Sequence, residues 1–282
     1  MDTENMDVNY ATRRLDDRII NVCVISDVGK RRGNNEDNFV LQNVINEESV
    51  NKIGKEVKYD NNGNWICIGV FDGMGGVDNG EIASLYAAKR FIDVLNEVEE
   101  YNYDKVDELI RNAYTNANRD VVTAKNESPM AGTTGTVFVT NGNKFKIFHI
   151  GDSRAYLLKG EEMFQLTVDQ TLAEMKKRLG IYDENDPESK MAEHQLTSFI
   201  GCDDTMENLV PKESDWMEVQ TGSKILLCSD GLYDMVDNQT IYEYLGAEED
   251  IISISKHLVR QAIKNGGEDN ITTGIIWFEN DN

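Results

Sequence analysis

Acidic residues recur beside Gly or Asn in four short stretches: RGNNED (32–37), FDGMGG (71–76), SDGLYD (229–234) and EDN (268–270). Three of the four follow an apolar run with the look of a buried strand. An Asp just past a strand end points into a crevice rather than into a core. Carboxylates gathered in one crevice repel one another, and a bound cation relieves that repulsion. Carboxylate and carbonyl oxygens without His or Cys suit hard ions such as Mg2+ or Mn2+. The chemistry this implies is metal-dependent hydrolysis of phosphate esters.

A single Asp-Gly marks an ordinary turn, so no one of these motifs is decisive. Two strand-to-Asp-Gly transitions in one chain are more telling. They make Asp72 and Asp230 ligand candidates, with Gly73 leaving its own carbonyl room to turn toward an ion. Asp269 is a third candidate. Asp234 reads as a brace for its turn, and Asn270 ties down its own turn through the side-chain amide. Asp152, in HIGDSR, either joins the group or pairs with Arg154 in a hairpin. In RGNNED, Arg32 stands four residues before Glu36. A guanidinium there is a fork for phosphate, though it also fits a surface pair with Glu36 of under ~1 kcal/mol, and Arg31 competes for the role. His149 reads as a core residue and His194 and His257 as surface residues. No His pair has zinc-ligand spacing.

Bulk composition narrows the classes. A net charge of −23 argues against nucleic acid and against an anionic membrane surface. The four cysteines form no C-x-x-C pair, and none has an Arg five residues on. Reduced, buried thiols and a cytoplasmic location are expected, and a cysteine phosphatase is disfavoured. The first residues do not resemble a signal peptide, and no apolar stretch approaches the ~18 residues of a membrane span.

The elements that must position these residues are mostly strands. Residues 1–18 read as a polar arm, with one domain over 19–282. Strands are expected at 21–27, 39–44 and 65–71, with residues 45–64, which hold Asn62-Gly63 near their end, a long hairpin loop or a ragged strand pair. Helices follow over 80–98, with Ile82, Leu85, Tyr86, Ile92 and Leu95 facing inward, and over 104–125. Asn141-Gly142 between two alternating runs signals a hairpin, and 154–158 with 163–167 forms another. Residues 171–210 are an acidic insertion over the surface. A strand at 224–229, helices at 238–246 and 249–265, and a strand at 271–278 complete the chain. Two packed sheets covered by helices satisfy every apolar face.

Taken together, SDVGKRRGNNEDNF (26–39), VFDGMGG (70–76), GTTGTVFV (132–139), HIGDSRAYLL (149–158), LTVDQT (166–171), LTSFIG (196–201), CSDGLYDMV (228–236) and EDNITTGIIWF (268–278) resemble the metal-dependent type-2C Ser/Thr protein phosphatases, the PPM family, in its compact bacterial branch. The resemblance implies an α+β fold, a central antiparallel β-sandwich flanked by pairs of helices on both faces. It implies two Mn2+ or Mg2+ ions bridged by Asp72, with the Gly73 carbonyl on one and Asp230 and Asp269 on the other. Glu36 and Asp37 then orient metal-bound water, Arg32 rather than Arg31 holds substrate phosphate, and Asp152 helps bind a third, weaker ion. Residues 171–210 match the family's variable flap. The expected reaction is single-step hydrolysis of phosphoserine and phosphothreonine in proteins by a hydroxide shared between the two ions, in a monomer, with a cognate Ser/Thr kinase as the natural counterpart.

The chain departs from the family pattern at Met74, where some members carry a His proposed to protonate the leaving group. A metal-bound water is the substitute. Gln170 stands where His is frequent. A catalytically silent binding module of the same fold is the alternative reading, disfavoured because every ligand position is filled. A nuclease is disfavoured by the acidic charge.

Overall fold

The computed structural model describes residues 8–15, 18–42, 44–45, 65–75, 79–92, 94–96, 98, 102–124, 131–203 and 209–280. The loop expected at 45–64 lies outside them from residue 46 onward, as does Gly76. The chain opens with strands β1 (Val8–Leu15), β2 (Arg18–Asp27), β3 (Asn38–Leu41), β4 (Val44–Ile45), β5 (Ile66–Phe71) and β6 (Gly73–Met74). Helices α1 (Asn79–Lys89) and α2 (Tyr103–Ala124) lead to β7 (Gly132–Thr133), β8 (Gly135–Thr140), β9 (Lys144–Ile150), β10 (Arg154–Lys159) and β11 (Glu162–Gln165). The insertion carries α3 (Leu172–Arg178) and α4 (Pro187–Met191). The remainder holds β12 (Lys212–Glu213), β13 (Met217–Glu218), β14 (Lys224–Cys228), α5 (Asp230–Tyr233), α6 (Asn238–Gly246), α7 (Ile251–Asn265) and β15 (Ile271–Asn280).

Two large antiparallel sheets result, beside the short β6–β7 pair. One runs β1-β2-β15-β14-β10-β11; the other runs β12-β9-β8-β5-β3-β4, with β13 also on β9. Side chains alternate between the two sides of each strand, so each sheet feeds two cores. In β2, Ile20, Val22 and Val24 enter the layer between the sheets, where Phe39, Ile68, Phe138, Leu227 and Ile276 meet them. Cys23 and Ile25 face the other way, into a cluster with Ile254, Leu258 and Ala262 of α7 and Ile241 of α6. Across the second sheet, Val137, Val139 and Phe148 pack against Ala83 and Ala87 of α1 and Ile110, Tyr114 and Ala117 of α2. The outcome is the four-layer α-β-β-α sandwich.

Local chemistry explains most elements. The β8–β9 hairpin turns at Asn141-Gly142, where Asn141 Oδ1 accepts from the Asn143 and Lys144 amides and Gly142 has φ +87°. Asp250 caps α7 through the Ile252 and Ser253 amides, and Asp237 caps α6 through Thr240.

Three expectations need correction. The arm over 1–18 includes β1, which pairs with β2 along its whole length and buries Val8 and Ala11. The strand expected at 39–44 breaks at Gln42, whose φ of +57° reverses the chain so that β4 returns along β3. The helix expected over 80–98 ends at Lys89 and buries Gly80, Ala83, Ser84, Ala87 and Ala88, while Ile82 and Tyr86 are exposed. Close seating of α1 on β3 and β6 admits small side chains only. Among the described residues no helix is long and apolar enough to cross a membrane.

Candidate metal centre

The acidic motifs meet at one end of the sandwich, where strands of both sheets finish. Asp72 follows β5 in one sheet; Asp230 follows β14 and Asp269 precedes β15 in the other. Asp72 and Asp230 act on each other's ionisation across the crevice. Asp72 also feels the charges of Asp37, Asp152 and Asp269. Five acids separated by up to 232 residues thus share one crevice.

Backbone ties fix Asp72. Its N–H donates to Thr134 Oγ1 at 2.9 Å, and its carbonyl accepts from the Thr134 amide at 2.9 Å and from Thr133 Oγ1 at 2.8 Å. Gly73 is required by the next contact. A Cβ there would stand 2.3 Å from the Gly80 carbonyl oxygen and 2.4 Å from that of Glu36. On the opposite sheet, Ser229 Oγ donates to Asp37 Oδ2 at 2.7 Å and accepts from the Thr272 amide at 2.9 Å. Asn270 does more than hold its own turn. Its Oδ1 accepts from the Glu36 amide, and its Nδ2 donates to the Val28 and Asn34 carbonyls, so it fastens the whole 28–36 loop.

The electrostatics are those of crowded, dehydrated acids. Burial is the largest cause in every case and charge repulsion adds to it. Asp230 is pushed up to about 6 and Asp37 to about 7, even though Thr272 and Ser229 hydrogen bonds pull Asp37 down. Asp72 and Asp152 lie well above the usual carboxylate range. Arg32 reaches the group from the rim, its Nη2 donating to Asp269 Oδ2 at 2.5 Å. Burial opposes the Arg32 charge, but Asp269, Glu36 and Asp230 outweigh it and raise its pKa. An all-oxygen donor set, short of positive charge, fits hard divalent cations.

Asp152 does not pair with Arg154. It is buried with the cluster, and its carbonyl accepts from the Tyr233 hydroxyl at 3.2 Å. Arg154 instead forks onto Asp169, its Nη2 2.7 Å from Oδ2, with its guanidinium 3.6 Å from the Tyr233 ring centre. His149 is a core residue, bonded through Nε2 to the Val168 carbonyl. His257 lies on the surface beside Glu249.

His194 was missed as a neighbour of the site. It is exposed, but its Nδ1 lies 3.8 Å from Asp234 Oδ2, and one donor atom each of His194, Asp230 and Asp234 fall within 4.8 Å of one another. No local sequence signal places the insertion over α5. Ser229 and the Thr133-Thr134 pair were also missed as supports. Ser229 had a signal, since it opens SDGLYD, and the threonines stand in GTTGTVFV, one of the segments that carry the resemblance.

Three of the four cysteines offer no nucleophile. Cys23, Cys67 and Cys228 are buried, and burial pushes each thiol up to about 12.

Sandwich and acid cluster together define a metallophosphatase architecture. The family description that matches, Protein phosphatase 2C, spans residues 57–263, and the chain belongs to that family. It is 28% identical over 267 residues to the protein phosphatase PhpP of Streptococcus pneumoniae, covering 90% of this chain and 96% of that one. Its fold matches the serine/threonine phosphatase of S. agalactiae with a TM-score of 0.77 at 24% identity, over 92% of this chain and 99% of the other. The catalytic domain of the serine/threonine protein phosphatase PstP, solved in complex with two manganese ions, matches with a TM-score of 0.70 at 27% identity, over 93% and 99% of the two chains.

Proposed function

We propose that the chain is a protein phosphatase that removes phosphate from phosphoserine and phosphothreonine, using two Mn2+ or Mg2+ ions and a third, weaker one. The observation that carries this reading is the convergence of Asp72, Asp230, Asp37, Asp152 and Asp269 on one crevice, where the charge of each of the others reaches Asp72. Asp72, at the junction of the two sheets, would bridge the ions. Gly73 would offer its carbonyl to one, Asp230 and Asp269 would hold the other, and Asp152 would serve the third. Bound ions would acidify water toward neutral pH and draw charge from the phosphoryl oxygens.

The chain's own side chains complete the reaction. Arg32, half-exposed at the rim, swings between Asp269 and a substrate phosphate and neutralises the equatorial oxygens as the ester breaks. Glu36 and Asp37 hold the attacking water in line. Met74 has no proton to give, so a water held by the ions would supply the proton to the leaving oxygen. No covalent intermediate is required, in keeping with the burial of Cys23, Cys67 and Cys228. Reduced cysteines suit a cytoplasmic setting, and phosphoprotein substrates imply a Ser/Thr kinase as the opposing partner.

The test is hydrolysis of phosphoserine, phosphothreonine and phosphotyrosine peptides with and without Mn2+, beside Asp230→Asn. Mn2+-dependent turnover of the first two, lost in the variant, is expected. Wild-type turnover by Asp230→Asn would remove the metal assignment. Mn2+ uptake without turnover of any peptide would favour the silent binding module.

A further inference from the structure

Gln170 sits where both ends of the inserted segment meet the sandwich. Its amide N–H donates to the Gly151 carbonyl at 2.9 Å, and its side-chain Oε1 accepts from the Gly151 N–H at 3.1 Å. Both polar groups of the buried Gly151 are therefore satisfied by one residue. The Gln170 carbonyl faces the other way and accepts from the Thr197 amide at 2.8 Å and Thr197 Oγ1 at 3.0 Å. Thr197 lies on the returning end of the insertion, beside the bridge that pairs Thr171 with Leu196.

Gly151 has little freedom of its own. Its φ is +98°, and a Cβ would stand 2.6 Å from Thr134 Cγ2. Asp152 follows directly. Beyond it, Ser153 Oγ bonds Thr134 Oγ1 at 2.6 Å, and that same oxygen receives the Asp72 amide. The downstream side of the Asp152 turn is fixed by threonines of the other sheet. The upstream side is fixed by Gln170.

We infer that Gln170 is a positioning residue: acting through Gly151, it sets where the Asp152 carboxylate stands and joins that carboxylate to the inserted segment. The role rests on the reading of Asp152 as a ligand of the third ion. Removing the amide strips the acceptor from a buried N–H and lets the turn rotate, while the backbone bonds to Thr197 survive.

The experiment is calorimetric titration of the full, EDTA-stripped chain with Mn2+, for wild type, Gln170→Ala and Gln170→Glu, with thermal melting of each. Gln170→Ala should weaken the weakest Mn2+ class about tenfold and leave the tighter two unchanged, the usual scale for losing a group that orients a metal ligand. With an aryl phosphate, kcat should fall while KM holds. Gln170→Glu keeps an acceptor for the Gly151 N–H and should restore both. Three unchanged affinities in a Gln170→Ala protein that merely melts earlier would overturn the role while leaving the proposed reaction intact. So would a Gln170→Glu variant no better than Gln170→Ala. A wild-type chain that takes up two ions only would overturn the third site and this role together.

Discussion

Chelated protein should be less stable at pH 8 than at pH 5, the reverse of ordinary acid denaturation. The perturbation is removal of divalent cations with EDTA followed by a pH series. Burial raises Asp230 from 3.8 to about 6 and Asp37 to about 7, with Asp72 and Asp152 also held high. The folded chain thus binds these protons more tightly than the unfolded one. Its advantage is complete below pH 4 and disappears as the pH climbs through 6 and 7. The Asp230 shift alone corresponds to roughly 3 kcal/mol over the whole range, of which about 1.4 kcal/mol is lost between pH 5 and pH 8. Neighbouring acids share protons, so their contributions do not simply add. For a chain of this size the Asp230 loss is a melting shift of about 3 °C or more between pH 5 and pH 8.

Differential scanning calorimetry at pH 5, 6, 7 and 8 would read the effect, and Mn2+ at pH 8 should reverse it by mass action. The overall charge of −23 also destabilises the fold as pH rises, so wild type must be compared with Asp230→Asn. The amide cannot ionise, and the variant's melting point should fall less steeply. A flat or rising profile for chelated wild type, or equal slopes for both proteins, would refute the reasoning.

Other substitutions test separate parts of the site. Arg32→Ala should raise KM for a phosphopeptide by about 10-fold or more with a smaller change in kcat, since a charged hydrogen bond to phosphate contributes on the order of 2 kcal/mol; steady-state kinetics with an unchanged KM would move phosphate binding elsewhere. Gly73→Ala forces a methyl against two backbone carbonyls and should lower the melting point and abolish turnover; a variant that melts and turns over normally contradicts the close approach. Ser229→Ala removes the donor to Asp37 and the acceptor for Thr272, a loss of roughly 1–3 kcal/mol visible in calorimetry, with Mn2+ affinity about tenfold weaker.

Much of the fold is legible because large apolar residues dominate its periodicities. α2, α6 and α7 bury the stripes that their spacing displays, and Asn141-Gly142 marks its hairpin. β1 is hidden because an edge strand needs little hydrophobicity. Its Asn9, Thr12 and Arg13 read as a tail, although β2 supplies every partner. α1 misleads because proximity selects small residues on its inner side, leaving Ile82 and Tyr86 to imitate a core face. The acid cluster is legible as residue types, since Asp-Gly after a strand is a local pattern. Its supports are not, because Ser229 to Asp37 and Asn270 to Glu36 join residues 192 and 234 positions apart. The choice of Asp169 over Asp152 by Arg154 likewise depends on where α3 and its leading segment fold back.

Strand β2 borders β15, some 250 residues downstream in the chain, and Asp269 stands at the head of that strand. A ribosome therefore displays Asp72, and later Asp230, long before the third acid exists. The segment from β3 to β9 can pair most of its own sheet early, leaving only the short β12 and β13 to add at one edge, but the other sheet has a gap at its centre until β15 emerges. With the ligands proposed above, cation capture would wait for β15, and a translation product that stops before it would hold the first two Asp-Gly motifs without the third acid.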